Sequence, residues 1–202
     1  MPTLVLATRN AGKVRELAQM MAGSGISVRS LAEWPDLPDV EEDADTFEGN
    51  ATKKALATAR ALGLPALADD SGLVVDALEG RPGVYSARYG GPGLDDSERC
   101  EHLLTEMAER GLDRSVGRFV CAMALARPDG QVVVRQASWE GVVRGPQRGD
   151  NGFGYDPIFE PAGHSGTSAQ MSAQVKNALS HRGQALAMVV ALLAEQPELL
   201  AD

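Results

Sequence analysis

The chain opens with a short apolar run that passes directly into a helical pattern, and this arrangement restricts the fold more than any other feature. The run TLVLAT, residues 3–8, is apolar and contains β-branched residues, as expected of a buried strand. After the polar stretch RNAGK, apolar residues recur at helical spacing, at Val14, Leu17, Ala18 and Met21. A buried strand joined to a helix by a few polar residues is typical of an α/β fold.

The same alternation continues along the chain. ISVRSL predicts a second strand, residues 46–63 predict a helix of about four to five turns, and ALADDSGLVV predicts an apolar strand interrupted at DDSG. Residues 95–111 have an amphipathic helical pattern, and two runs around a PDG turn, residues 117–143, predict a hairpin. One or two helices follow in residues 171–196. These patterns predict the α/β class with a mixed sheet.

Composition and charge limit the function. With 202 residues, 44% of them hydrophobic, the chain can bury a substantial core, and its length favours a single domain over residues 1–202. The formal net charge of -9 disfavours binding to a nucleic-acid polymer, whose backbone attracts basic surfaces. An acidic protein that binds a small polyanion needs a local basic cluster or a divalent metal.

The sequence also predicts the compartment. The two cysteines, Cys100 and Cys121, match no metal-binding spacing, which favours reduced thiols and a cytoplasmic location. The N-terminus has no basic leader before an apolar run, and its apolar stretch is far too short to span a bilayer. We therefore expect neither a signal peptide nor a membrane anchor.

Two segments near the start of strands or helices carry residues suited to chemistry. The segment Thr8 to Lys13 lies at the first strand–helix junction, where free N–H groups and the helix dipole favour anions. Alternatively, Thr8 or Asn10 only caps the helix and Lys13 is solvated. ADDSG places Asp69 and Asp70 in an apolar strand, where a buried charge needs a compensating partner. Metal binding, a general-base role and bonds to backbone amides remain open there, as does a simple strand-end turn.

Three further segments complete the set. In the acidic run VEEDAD, Glu41 or Glu42 could supply a carboxylate to Mg²⁺, although a solvated loop is the simpler interpretation. KNALSHRG contains Lys176, His181 and Arg182, and a plain helix N-terminus with exposed charge is the alternative there. GDNGFGYDPIF, residues 149–159, sets two aromatic residues among glycines and aspartates. Taken together, these segments predict a nucleoside triphosphate as ligand. The anion site and its lysines suit the phosphates, the carboxylates suit a metal ion, and the aromatic loop suits a flat heterocycle.

Six motifs of this chain occur in the order found in the inosine/xanthosine triphosphate pyrophosphatase family, which the chain resembles from about Leu4 to Leu192. The motifs are LVLATRNAGKVREL, TFEGNATKKA, ALADDSGLVVDAL, GVYSARYGG, GDNGFGYDPIF and SHRGQAL. The resemblance implies Mg²⁺-dependent hydrolysis of ITP, dITP and XTP to the monophosphate and pyrophosphate, usually by a homodimer. It also implies an elongated mixed sheet with flanking helices, in two lobes around a central cleft.

The resemblance further implies roles for individual residues. Asp70 would be the general base and a metal ligand, with Asp69 supporting the metal site and Ser71 beside the substrate. Lys54 would act at the polyphosphate as a second catalytic residue. The remaining phosphate-binding residues would be Thr8, Arg9, Asn10, Ala11, Gly12, Lys13 and Asn50. The base-binding loop would comprise Phe153, Gly154, Tyr155 and Asp156, and the residues that close on phosphate and base would be Lys176, His181 and Arg182.

Two positions depart from the family pattern. The family often has Glu-Asn-Ala where this chain has Gly49, Asn50 and Ala51, so a metal ligand at that position is in doubt and Glu41 or Glu42 is the better candidate. Arg9 stands where glycine is common, and we expect it to tune phosphate affinity.

Two alternatives remain. The related septum-inhibition nucleotide pyrophosphatases act on modified pyrimidine nucleotides, but SHRG and FGYDPIF argue against that assignment. A non-catalytic purine nucleotide sensor could bind through the same loops, but the intact DDSG argues against it. Release of pyrophosphate from a panel of nucleotides separates all three functions.

Overall fold

Across residues 1–200, which the computed structural model describes, the chain forms six strands and five α-helices joined by loops and short 3-10 turns. The strands are β1 (Thr3–Leu6), β2 (Ser27–Ser30), β3 (Ala66–Val75), β4 (Arg114–Ala126), β5 (Val132–Arg144) and β6 (Phe159–Pro161). The helices are α1 (Ala11–Met20), α2 (Phe47–Leu62), α3 (Asp96–Glu109), α4 (Ala173–Leu179) and α5 (His181–Glu195).

The strands form one sheet in the order β2-β1-β3-β4-β5-β6. β1 pairs in parallel with β2 and with β3, whereas β5 and β6 are antiparallel, so the sheet is mixed. The predicted α/β class, with a mixed sheet and flanking helices, is confirmed.

Local capping explains where the long helices begin and end. The Thr46 side chain accepts a hydrogen bond from the Gly49 amide at the start of α2, and Gly63 ends that helix in the left-handed conformation, with φ 65°. At α3, Asp95 and Glu98 form a reciprocal capping box. These are the polar starts and glycine stops that the sequence indicates, so both helices lie where they were predicted.

The predicted interruption of the third strand is wrong. β3 runs without a break from Ala66 to Val75 and includes the whole of DDSG. Two adjacent carboxylates stay in this buried strand only if their charge has a compensating partner. They do stay because cationic side chains from α1, α2 and α5 offset their charge, as described below.

The chain divides into two compact units. Among residues 1–200, the first unit comprises Met1–Asp70, Cys121–Ala137 and residues 182–200, and the second comprises Ser71–Val120 and Ser138–His181. The core of the first unit includes residues of β1, β3, β4, α1 and α5, among them Leu6, Leu17, Leu67, Met123 and Leu186. The core of the second unit is richer in aromatic side chains and includes Leu73, Leu103, Phe119, Trp139 and Phe159.

The apolar C-terminal helix contributes to the core of the chain itself. Ala185, Leu186, Val189, Leu192 and Leu193 of α5 pack into the first unit. Within residues 1–200, no helix has the length and apolar character needed to cross a membrane.

Both cysteines are free and buried, and burial raises the pKa of each thiol to about 12. At pH 8 only about 10⁻⁴ of such a thiol is thiolate, the reactive form. We expect Ellman's reagent to react with neither Cys100 nor Cys121 in the native protein and with both in denaturant. Rapid labelling of the native protein would contradict this description of the two cores.

Candidate active site

The junction between β1 and α1 is held by its own side chains. Asn10 is the helix cap, and its Oδ1 accepts hydrogen bonds from the amides of Gly12 at 2.9 Å and Lys13 at 3.2 Å. The Thr8 hydroxyl accepts a bond from the Asn10 amide at 3.2 Å. Of the two candidate caps in the sequence, the structure therefore selects Asn10, and Ala11 begins the helix.

Lys13 is not a solvated lysine. Its Nζ lies 3.1 Å from Oδ2 of Asp69, and its side chain is largely buried. The same Oδ2 lies 3.2 Å from Nε of Arg182, at the start of α5. Nη1 of Arg182 in turn binds Glu16 of α1 at 2.6 Å. These four side chains form a buried chain of alternating charges in the first unit.

The charge of Asp69 follows from this cluster. Burial by itself raises the pKa of this carboxyl, but the positive charges of Lys13, Arg182 and Lys54 outweigh burial and hold the pKa well below its ordinary value. Asp69 is therefore ionised at neutral pH, and its Oδ2 is paired with Lys13 and Arg182. Asp70, its neighbour on β3, is the better candidate to accept a proton.

Asp70 has different surroundings. Its carboxylate accepts a bond from Nδ2 of Asn50 at 3.1 Å and lies 3.4 Å from Nζ of Lys54. Burial raises the pKa of Asp70; Lys54 and Lys13 act in the opposite direction, and the nearby Glu42 raises it further. A carboxylate at 6% exposure with a raised pKa is a better proton acceptor than an exposed aspartate.

Lys54 joins Asp70 to the acidic run VEEDAD, residues 40–45. Its Nζ contacts Oε1 of Glu42 at 2.5 Å and the carbonyl oxygen of Asp69 at 2.8 Å. Burial lowers the pKa of Lys54, but the charges of Asp70, Asp69 and Glu42 outweigh burial and raise it. Glu41 is exposed, so of the two candidate glutamates Glu42 is the one that joins this cluster.

The carboxylates of this cluster suit a metal ion that binds together with a phosphate-containing ligand. Within residues 1–200, no three His, Cys, Asp or Glu side chains are grouped to hold a metal ion alone. However, Mg²⁺ often takes only one or two carboxylates and completes its shell with phosphate oxygens and water. Glu42 and Asp70, which share the Lys54 ammonium and repel each other, fit that smaller set.

At Gly49, where the family often has glutamate, a side chain does not fit without a shift of its neighbours. A Cβ on Gly49 would lie 2.8 Å from Cβ of Ala44 and 3.0 Å from the hydroxyl of the capping Thr46. Asn50, which is buried, bonds the backbone of Ala44 through both its amide oxygen and its amide nitrogen. The acidic run, residues 40–45, is thus hydrogen-bonded to α2 through Asn50.

In the second unit, Asp156 organises the loop GDNGFGYDPIF. Its Oδ2 accepts a bond from the Phe153 amide at 2.9 Å and lies 2.6 Å from Nζ of Lys176. Its Oδ1 accepts a bond from the Ser168 hydroxyl at 2.7 Å. The Lys176 ammonium also lies 5.1 Å from the centre of the Phe153 ring.

Two glycines of this loop are required by close contacts. A Cβ on Gly152, whose φ is 80°, would overlap the Asp156 carboxylate. A Cβ on Gly149, whose φ is 86°, would lie 2.5 Å from the backbone of Ala169. The glycines therefore allow the loop to close tightly around the Asp156–Lys176 ion pair.

The two aromatic residues of the loop have different environments. Tyr155 is buried in the core of the second unit, and its hydroxyl donates to the carbonyl of Ser86 at 2.9 Å. Phe153 is half-buried, and Gly154 is held by the Asp96 carboxylate, which accepts its amide at 2.7 Å. Of the two rings, Phe153 is therefore the one with exposed surface.

The remaining candidates are placed as follows. His181 lies in the second unit and stacks on Phe119, with ring centres 4.8 Å apart and planes at 11°. Ser71 follows Asp70 on β3 and is half-buried. The Arg9 guanidinium donates to carbonyl oxygens and a carboxylate within residues 31–39.

Each unit thus gathers its own share of the predicted residues. The first unit brings together Lys13, Asn50, Lys54, Asp69, Asp70, Glu42 and Arg182. The second brings together Phe153, Asp156 and Lys176. Sequence reasoning missed Glu16, Asp96 and Ser168, which bind the predicted residues. No local motif marks them, because each acts on a partner distant in sequence.

The chain is thus an α/β protein whose first unit contains a buried cluster of carboxylates and lysines, residue types that recur in sites of phosphoryl transfer. The Ham1 family model matches residues 4–192, so the chain belongs to the Ham1 family, and the resemblance described above is confirmed.

Individual relatives support the same family assignment. The dITP/XTP pyrophosphatase of Gluconobacter oxydans is 55% identical over 91% of this chain and 86% of its own. That of Geobacter sulfurreducens is 48% identical over 94% and 95%. The structure of a Ham1 protein from Coxiella burnetii superposes with a TM-score of 0.88 at 40% identity, covering 96% of this chain and all of the other.

Proposed function

We propose that this chain hydrolyses the noncanonical purine nucleoside triphosphates ITP, dITP and XTP to the monophosphate and pyrophosphate, and so removes them from the nucleotide pool. The observation that carries the proposal is the buried Asp70 carboxylate, which is placed between the Asn50 amide and the Lys54 ammonium. The substrate class is supported by the relatives named dITP/XTP pyrophosphatase, which align over nearly the whole chain.

Mg²⁺ is the proposed cofactor, with Asp70 and Glu42 as its protein ligands and Glu41 as the less favoured alternative. When bound, it supplies positive charge to the phosphate oxygens and a Lewis acid for the attacking water. These residues fit Mg²⁺ because the Glu42 and Asp70 carboxylates both contact the Lys54 ammonium and repel each other, so a cation between them is favourable.

The reaction needs one proton acceptor and several cations. Asp70 accepts a proton from water as the water oxygen attacks the α-phosphorus, the bond to the bridging oxygen breaks, and pyrophosphate leaves. Lys13 and Lys54 lie in the same cluster as Asp70 and offset the charge of the leaving group. Positioning and charge supply most of the rate in such reactions. The residues Thr8 to Lys13, with Asn50, are proposed to bind the phosphates.

Selectivity for the base is proposed to depend on hydrogen bonds. Hypoxanthine and xanthine have a carbonyl group at position 6, where adenine has an amino group. Arg182 and His181 can donate to that carbonyl, and a donor left unpaired against adenine costs about 1–3 kcal/mol. Phe153 supplies a stacking surface, which does not discriminate between purines. Arg182 already pairs with Asp69 and Glu16, so a contact with the base would add a second role.

Two further properties belong to the proposal. A cytoplasmic location is supported by two free, buried thiols, which suit a reducing compartment. A homodimer is supported by the family resemblance, and sedimentation of the purified protein tests it.

The function is tested by incubating the purified protein and Mg²⁺ with ITP, dITP, XTP, GTP and ATP and measuring pyrophosphate and monophosphate. We expect kcat/KM for ITP, dITP and XTP to exceed that for ATP by at least about 30-fold, because two unpaired donors at the lower end of that cost amount to about 2 kcal/mol. Tight binding of ITP without release of pyrophosphate would instead identify a nucleotide sensor, and release of orthophosphate would contradict attack at the α-phosphorus.

A further inference from the structure

The Arg9 guanidinium binds a loop rather than projecting freely from the β1–α1 junction. Its Nε lies 2.9 Å from Oδ1 of Asp39. Its Nη2 donates to the carbonyl oxygens of Leu37 at 2.6 Å and Trp34 at 3.3 Å, and its Nη1 donates to that of Leu31 at 3.4 Å. One side chain therefore satisfies four acceptors that lie 22 to 30 residues further along the chain.

Three of these acceptors, from Trp34, Leu37 and Asp39, lie in the first half of the segment that carries the proposed metal ligand. We refer to residues 34–45 as the acidic loop; it contains Glu42, whose carboxylate binds Lys54. The far end of the loop is fastened by Asn50, which bonds the backbone of Ala44. Arg9 fastens the near end, so the loop is held on both sides of Glu42.

Arg9 also connects this loop to the other side of the site. It lies between Thr8 and the helix cap Asn10, in the turn that precedes Lys13. Movement of the acidic loop is therefore restrained relative to the turn that carries Lys13.

We propose that Arg9 is a positioning residue that holds the acidic loop, and with it Glu42, in place for the metal ion. This inference rests on the proposed function and assigns Arg9 a role other than contact with phosphate. The geometry supports it because the guanidinium donates to two carbonyl oxygens of the acidic loop, those of Trp34 and Leu37, and pairs with the Asp39 carboxylate in the same loop.

Lysine at this position distinguishes the two roles. A lysine keeps the positive charge, so it would preserve most of a purely electrostatic effect on a phosphate. It lacks the planar set of five donors and cannot reach acceptors on several sides at once. If Arg9 holds the loop, Arg9→Lys behaves like Arg9→Ala.

The test compares wild-type protein with Arg9→Ala, Arg9→Lys and Asp39→Asn. Mn²⁺ binding is measured by electron paramagnetic resonance in the presence of ITP with an imido group between its α- and β-phosphates. Hydrogen exchange of residues 34–45 is measured on the same proteins. We expect Arg9→Ala and Arg9→Lys to weaken Mn²⁺ binding by about 10-fold, in the lower range for residues that support a metal ligand. Exchange in the acidic loop accelerates in both. Asp39→Asn has a smaller effect, because it removes only the negative charge of one acceptor and the three carbonyl oxygens remain.

Arg118→Ala is the matched control. Arg118 pairs with Asp76 at 2.9 Å, and its side chain is 35% exposed, compared with 36% for Arg9. It lies in the second unit, so its loss is expected to leave Mn²⁺ binding and exchange of the acidic loop unchanged.

The outcomes separate the inference from the proposed function. Mn²⁺ binding by Arg9→Ala within twofold of wild type would overturn the inference, as would an Arg9→Lys protein that matches wild type. A raised KM for ITP with unchanged Mn²⁺ binding would identify a phosphate contact instead. Wild-type protein that binds Mn²⁺ but releases no pyrophosphate would overturn the proposed function alone.

Discussion

Asp70→Asn is expected to lower kcat for ITP by at least about 10²–10⁴-fold, the usual contribution of a general base. Asparagine has nearly the same shape and can still contact Asn50 and Lys54, but it cannot accept a proton from water. The protein should remain folded, because burial and the nearby Glu42 both disfavour the charged form of Asp70. The measurement is steady-state pyrophosphate release at saturating Mg²⁺, with thermal unfolding of the same samples.

Asp45→Asn is the control for this experiment. Asp45 is an exposed carboxylate of the acidic loop, so the same chemical change there is expected to leave kcat unchanged. A loss smaller than 10²-fold in Asp70→Asn, with Mg²⁺ saturating, would remove Asp70 from the role of base.

Lys176→Met is expected to lower the free energy of unfolding by about 3–5 kcal/mol, the usual cost of removing one partner of a buried ion pair. Asp156 is 2% exposed and Lys176 is 5% exposed, so the remaining carboxylate would be buried without its closest cation. The same carboxylate orders the Phe153 loop through the Phe153 amide, and KM for ITP should therefore rise as well. Urea unfolding and steady-state kinetics measure the two effects.

A double variant tests whether the cost arises from the pair. Adding Asp156→Asn to Lys176→Met removes the buried charge, so part of the lost stability should return. Lys53→Met, which removes an exposed lysine that pairs with Asp43, is the control and should change stability little. If Lys176→Met costs no more than that control, the ion pair does not stabilise the loop.

The predictions that succeeded depend on neighbours in sequence. The start and end of α2 follow from Thr46 and Gly63, which act within a few residues of themselves. The motif order likewise identifies the family, because each motif is read along the chain.

The predictions that failed or stayed open depend on partners far along the chain. The break expected at Asp69 and Asp70 does not occur, because Lys13 and Arg182, 56 and 113 residues away, neutralise Asp69. Lys13 itself could not be distinguished from a solvated lysine until that partner was known. Tyr155 and Phe153 are equivalent in the sequence, yet only the structure buries one of them.

The amino-acid sequence alone thus determined the order of the longer helices and strands, the α/β class and the family, because helix caps, apolar periodicity and motif spacing are local properties. The short strand β6 was not predicted. Only the tertiary structure decided which carboxylate pairs with which cation. The bond between Arg182 and Glu16 joins residues 166 positions apart, and charges at such separation meet only when the chain has folded around them.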